Sequence, residues 1–242
     1  MSDIHLYTAQ TPNGIKASIA LEELGLQYKT TQVELSKNTQ KEPWFLEINP
    51  NGRIPALTDK LENGEPIRIF ESGSILQYLV ERYDKDHKIS YPPGTKEYYE
   101  TNNWLHWQMG GLGPMQGQLN HFFLKIQYGV DRYKNETRRL YRTMNTQLQK
   151  TPFLVGDKCT IADIASWGWV AAGAWAGIDL EEFPELKQWL ERCVARPGFE
   201  KGRHVPTKHT ALEHSKLSQE EIDNYAKAAS AWVVQGMKED AK

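Results

Sequence analysis

The sequence predicts two domains in tandem, a small α/β domain followed by an all-helical one. Three observations predict this. Strand-like alternation and an Asn63-Gly64 hairpin signal are confined to the first third. A charged stretch with Pro92-Pro93-Gly94 then interrupts the pattern, and beyond it only helical periodicity remains. A chain of 242 residues has room for two such domains. The boundaries predicted are 1–87 for the α/β domain, 88–95 for the linker, 96–210 for the helical domain and 211–242 for a helical C-terminal extension.

The elements follow in chain order. Residues 4–8 alternate as a short strand, and Thr11-Pro12-Asn13-Gly14 breaks it. Residues 15–24 read as a helix with Ile15, Ile19, Ala20 and Leu24 on one side, Lys16 and Glu22 elsewhere, and Gly25 as its C-terminal stop. Residues 27–33 are a second strand, so the chain opens β-α-β, which favours a parallel pair. Pro43 starts a short helix. Asn63-Gly64 lies between two apolar alternations, the mark of a hairpin, and Glu71-Ser72 opens a helix running to Tyr83. In the second domain, residues 96–123 and 131–149 are helical, with a kink expected at Gly110-Gly111 and Gly113-Pro114. Residues 160–175 are apolar on nearly every side and read as a buried central helix, capped by Thr160-Ile161-Ala162-Asp163. A helix over 184–196 stops at Pro197-Gly198, and an amphipathic helix over 218–237 ends the chain.

Composition narrows the function classes. Lys and Arg number 29 against 31 Asp and Glu, a formal charge of −2, which provides no basic field for nucleic acid. No apolar run approaches the roughly 18–20 residues of a membrane span. The N-terminus lacks a charged-then-apolar leader, and two cysteines, Cys159 and Cys193, fit no metal or redox spacing. A cytoplasmic protein with reduced thiols and no metal is the expectation.

Asn49-Pro50-Asn51-Gly52-Arg53-Ile54-Pro55-Ala56-Leu57, followed by Phe70-Glu71-Ser72-Gly73-Ser74-Ile75-Leu76-Gln77-Tyr78-Leu79, resembles the glutathione-binding half of glutathione transferases. Thr160-Ile161-Ala162-Asp163 resembles the cap of the buried helix in their second domain, and the likeness runs from about residue 3 to about residue 205. Thr11-Pro12-Asn13-Gly14, with residues 104–115, resembles the Nu class and the related fungal class that includes the yeast nitrogen regulator with a prion domain. The resemblance implies a thioredoxin-like first domain and an all-α second domain, a cytosolic homodimer, and glutathione as co-substrate.

It also implies site residues, each with an ordinary alternative. Ile54-Pro55 would carry a cis bond that turns the Ile54 backbone outward to pair with an extended tripeptide; on residues alone it is a loop proline. Glu71 can pair with an ammonium and Ser72 with a carboxylate at a helix N-terminus, the two groups of a γ-glutamyl end; otherwise Ser72 is a helix cap. Gln40 and Arg53 fall where the family contacts the glycyl end. Asn13, at the first turn of a helix, can donate to a thiolate without acting as a base, and the Thr11 hydroxyl can do the same; otherwise Asn13 fills a turn with Gly14. Tyr7 is the rival donor, or a core residue. Arg132 resembles an arginine that reaches glutathione across a dimer interface, and is otherwise a surface residue. Trp104 and Trp107 share a helix face expected to line the active-site groove, whereas His106 reads as structural. Gly110–Gly113 is not a phosphate loop, since no Lys-Ser/Thr follows.

Two functions follow. One is an enzyme that stabilises glutathione thiolate for addition to electrophiles or for reduction of small disulfides and peroxides. The other is a non-catalytic module that binds glutathione or an apolar ligand on the same fold.

Overall fold

The computed structural model describes residues 3–122, 126–218, 220, 221 and 224. The first domain holds strands β1 (His5–Thr8), β2 (Lys29–Gln32), β3 (Ala56–Lys60) and β4 (Pro66–Phe70) with helices α1 (Gly14–Glu23), α2 (Pro43–Ile48) and α3 (Ser72–Tyr83). The sheet order is β2-β1-β3-β4. β1 and β2 are parallel, joined through α1, while β3 pairs antiparallel with both β1 and β4. The hairpin stands where Asn63-Gly64 places it, with Gly64 at φ 83°, a left-handed conformation that glycine adopts without a Cβ clash.

Period-2 alternation explains the two faces of the sheet. Leu6, Leu57 and Ile69 are in register across three strands and join Ile15, Ile19, Ile75 and Leu76 of α1 and α3 in the main core. On the opposite face, Tyr7 packs with Ala56, Val33 and Phe45 beneath α2.

The rest of the described chain is helical: α4 (Lys96–Trp107), one π-helical turn (Gln108–Leu112), α5 (Gly113–Phe122), α6 (Gln127–Leu148), α7 (Ile161–Ala171), α8 (Pro184–Val194) and α9 (Pro197–Gly202). The kink expected near Gly110–Pro114 is this π turn, a feature that often marks functional sites. α7 is buried along its length, as its composition predicts, and the cap forms: Thr160 Oγ1 accepts from the Ala162 N–H at 3.2 Å and Asp163 accepts from the Thr160 N–H at 2.9 Å. The helix stops at Ala171, earlier than residue 175, and a 3₁₀ turn (Ala174–Ala176) follows. Pro197 does not lead into a coil but occupies the first turn of α9, where its missing N–H costs nothing.

α9 fastens the two domains. The Ser18 hydroxyl on α1 donates to the Gly202 carbonyl at 2.8 Å, and Arg196 grips the Glu23 carboxylate with bonds of 2.6 and 3.2 Å. Past α9 the chain forms a 3₁₀ helix (Ala211–Lys216); the amphipathic helix expected over 218–237 lies almost wholly outside the described residues. No helix among the described residues is long and apolar enough to cross a membrane.

Candidate functional site

The site is built where β1 ends. The chain turns through Ala9–Asn13 into α1, with the Thr11 N–H on the Ala9 carbonyl at 2.8 Å. Thr11 Oγ1 accepts from the Gly14 N–H at 3.0 Å, capping one of the free donors at the start of α1. That bond occupies an oxygen lone pair and leaves the hydroxyl proton to donate elsewhere. Asn13 is half-buried at the N-terminus of α1. Its Oδ1 accepts from the indole N–H of Trp169 at 3.1 Å. Since an indole only donates, the oxygen must face Trp169 and the NH₂ end is turned away from it.

Trp169 reaches Asn13 because α7 lies against the Pro12 turn. A Cβ on Gly168 would sit 2.8 Å from the Pro12 carbonyl oxygen, so only glycine permits the approach. Tyr7 takes no part in this arrangement. It lies on the other face of β1, with its hydroxyl on His5 Nδ1 at 3.1 Å and its ring against Trp44 and Phe45. The structure therefore favours the packing reading for Tyr7 over that of a rival donor.

Glu71 and Ser72 stand at the start of α3. Glu71 has φ 69°, ψ 121°, a conformation sparsely populated by residues with a Cβ and one that clusters at functional sites. It precedes the helix, so Ser72 is not the cap but the first helical residue. The Glu71 carboxylate is exposed and accepts from Asn51 Nδ2 at 3.4 Å, while Ser72 is buried. Between these elements runs the 49–55 loop. Asn49 fixes it by donating to the Arg53 carbonyl at 2.6 Å and accepting from the Asn51 N–H at 2.9 Å. The Ile54–Pro55 bond is cis, as the family resemblance implies; Val205–Pro206 is a second cis bond. Arg53 is exposed beside it. Gln40 is 5% exposed, yet its Oε1 has no hydrogen-bond partner among the described residues, an unusual state for a buried amide oxygen.

Eight of the nine predicted residues thus belong to the turns and helix starts around one end of the sheet. Arg132 stands apart, exposed on α6. Trp104 and Trp107 do contact each other, at 5.1 Å between ring centroids. Trp104, however, lines a shallow groove with Arg139, Arg142 and Lys150, formed within the second domain. The pair still shares a helix face, as the spacing suggests. His106 is exposed and bonds to the Asn102 carbonyl one turn back, a structural role as expected.

Lys16, off the apolar side of α1 in the sequence pattern, is nonetheless 0% exposed, donating to Ser72 Oγ at 3.2 Å and Gln108 Oε1 at 2.8 Å, with Met109 Sδ at 3.9 Å. Burial strips water from the ammonium and pushes its pKa down to about 7, against the opposing pull of the Glu71 carboxylate. The π turn makes this possible by presenting Gln108 and Met109 inward. Lys16 follows Asn13 by three residues, a spacing that shares a helix face. Trp169 and Gln108, distant in sequence, carry no comparable signal.

This frame has known counterparts. Residues 2–81 match the family model of the glutathione S-transferase N-terminal domain, and residues 125–197 that of the C-terminal domain. The chain belongs to the glutathione S-transferase family. It is 45% identical over 200 residues to the disulfide-bond oxidoreductase YfcG of Escherichia coli, covering 80% of this chain and 91% of that protein. Among solved structures it is similar to a glutathione transferase homologue from Lodderomyces elongisporus with two GSH per subunit. That match has 43% identity and a TM-score of 0.80, over 85% of this chain and all of the other. It is also similar to the glutathione transferase URE2P6 from Phanerochaete chrysosporium in complex with oxidized glutathione. There the identity is 38% and the TM-score 0.78, over 90% and 98% of the two chains. The thioredoxin-like plus all-α architecture and the family expected from the sequence are both borne out.

Proposed function

We propose that this transferase binds glutathione at the Asn13–Ser72 end of the first domain and stabilises its thiolate for attack on disulfides and small electrophiles. The observation that carries this reading is the fixed Asn13 amide: with its oxygen held by Trp169, its N–H donors, which meet no partner among the described residues, can turn to a sulfur. A free thiol ionises near pH ~8.5, and donors at a helix N-terminus lower that value. Thr11 adds a hydroxyl donor beside it. The Ile54 backbone pairs with the cysteinyl portion, Glu71 with the ammonium and Ser72 with the carboxylate of the γ-glutamyl end. Gln40 and Arg53 receive the glycyl end. The active assembly is a cytoplasmic homodimer in which Arg132 of the partner subunit closes on the ligand.

The relatives named above favour disulfide reduction. One glutathione thiolate attacks a disulfide sulfur, the S–S bond breaks, and a substrate thiolate leaves. A second glutathione thiolate then attacks the glutathionyl sulfur of the mixed disulfide, releasing the other substrate thiol and glutathione disulfide. Both protons come from the two glutathione thiols. Neither step needs a protein cysteine, in keeping with the burial that pushes the Cys159 and Cys193 thiols up and keeps them inert.

The deciding experiment compares wild type with Asn13→Ala in two assays, reduction of hydroxyethyl disulfide and conjugation of a model aryl halide. A large loss of turnover with little change in glutathione affinity is the expected result, and the better wild-type reaction names the dominant activity. A wild type that binds glutathione and turns over neither substrate would replace this reading with the binding-module one.

A further inference from the structure

Lys16 is a buried cation to which the reading above gives no task. Its three donors meet a hydroxyl, an amide oxygen and a thioether, which satisfy protons but do not neutralise charge. Holding an ammonium in such a place is costly unless an anion compensates it. Among the described residues, the charges around it do not supply one. Glu71 is the carboxylate that bears on it electrostatically, and it is exposed. From α9, Arg196 and Lys201 pair with Glu23 and Glu22 at the other end of α1. On α7, Asp163 is taken up by its own cap and by Trp189. On α3, Arg82 lies in the last turn, beside Asp59. The π turn contributes only Gln108 and Met109.

The geometry at Ser72 shows where an anion belongs. Because Lys16 donates to the Ser72 oxygen, the Ser72 proton must point elsewhere, and it is directed to the Met109 sulfur at 3.6 Å. A thioether is a weak acceptor; a carboxylate beside Ser72 at the start of α3 would be a far better one.

We propose that Lys16 is a positioning residue for the ligand carboxylate: it sets the Ser72 hydroxyl as an outward donor and acts as the buried countercharge to that carboxylate. The inference rests on the reading of Glu71–Ser72 as the γ-glutamyl site. It has a consequence that packing alone would not produce. A carboxylate arriving beside Lys16 favours its charged form, so above neutral pH the complex takes up a proton that the free protein lacks.

The test is calorimetric titration with S-methylglutathione, which has no ionisable thiol, in two buffers of different ionisation enthalpy. Wild type should take up a substantial fraction of a proton near pH ~7.5, and its affinity should fall by up to about tenfold per pH unit above that. Lys16→Met should bind on the order of ten- to a hundredfold more weakly, with the uptake abolished. Wild-type binding without proton uptake, or unaltered affinity in Lys16→Met, would overturn the inference and leave the glutathione reading intact. Failure of the wild type to bind would overturn both. Should Lys16→Met not fold, the wild-type proton uptake decides alone.

Discussion

The indole N–H of Trp169, in the central helix of the second domain, donates to the side-chain oxygen of Asn13 in the first at 3.1 Å. An asparagine amide is otherwise free to present either end, and only its nitrogen can donate to a thiolate. Trp169→Phe keeps most of the packing and removes that constraint. Turnover of hydroxyethyl disulfide is expected to fall on the order of tenfold, against about a hundredfold for Asn13→Ala, the range set by losing a bond to a charged sulfur. Asn13→Asp should fall further than Asn13→Ala, since a carboxylate repels the thiolate. The ultraviolet titration of enzyme-bound glutathione checks the cause: the thiol pKa should rise in all three variants.

Gly113 makes room for the Gln108 and Trp169 side chains, which reach into the first domain. A Cβ there would lie 2.7 Å from Gln108 Nε2 and 3.1 Å from Trp169 Nε1, whereas one on Gly110 meets nothing within 4 Å. Gly113→Ala is expected to cost about 1–3 kcal/mol by urea unfolding, as overpacking does. It should also lower activity by displacing the partners of Lys16 and Asn13. Gly110→Ala should stay within roughly 0.5 kcal/mol of wild type. Equal effects at the two positions would refute the steric account.

These two glycines show where sequence reasoning stops. The fold was legible because its signals are local: alternation in β1, Asn63-Gly64 for the hairpin, Thr160 with Asp163 for the cap. The Glu71-Ser72 and Ile54-Pro55 pairs were legible because the residues are adjacent and their chemistry is explicit. The support beneath them was not. Trp169 meets Asn13 across 156 positions of chain and Gln108 meets Lys16 across 92. Periodicity on α1 sets Lys16 off the apolar side and carries no sign of its burial, since a lysine is ordinarily exposed. The tertiary structure buries that helix from Gly14 to Leu21 on every side. Pro197 was read as a stop because a proline ends the helix before it; that it also begins α9 depends on the packing of α9 on α1.

Asp163 is the polar anchor of the helical domain. It is fully buried and accepts from the Leu154 N–H, the Thr160 N–H and the Trp189 indole at 2.8–2.9 Å. Asp163→Ala leaves these three buried N–H donors and the Thr160 hydroxyl without their acceptor, so a loss on the order of 3–5 kcal/mol is expected in denaturant unfolding. Trp189→Phe removes one donor along with the indole and should cost less. The two losses should not add, because they share a bond.

His209 gives the fold an acid limit. It is 6% exposed, its ring lies 5.2 Å from that of Trp167, and Arg203 Nη1 faces its Nδ1 at 3.4 Å, which suits a neutral imidazole accepting a hydrogen bond. Burial, reinforced by the Arg203 charge, lowers its pKa to about 4. The unfolded chain binds the proton near pH ~6.5 and the folded one does not. Stability from this residue is therefore full above that value and declines as pH falls through 6.5 toward 4, reaching on the order of 3 kcal/mol. Urea midpoints measured between about pH 7.5 and 4.5 should fall more steeply for wild type than for His209→Phe, which keeps an aromatic ring but cannot titrate. Parallel slopes would mean that the His209 imidazole is protonated within the fold at no cost, and that other groups set the acid limit.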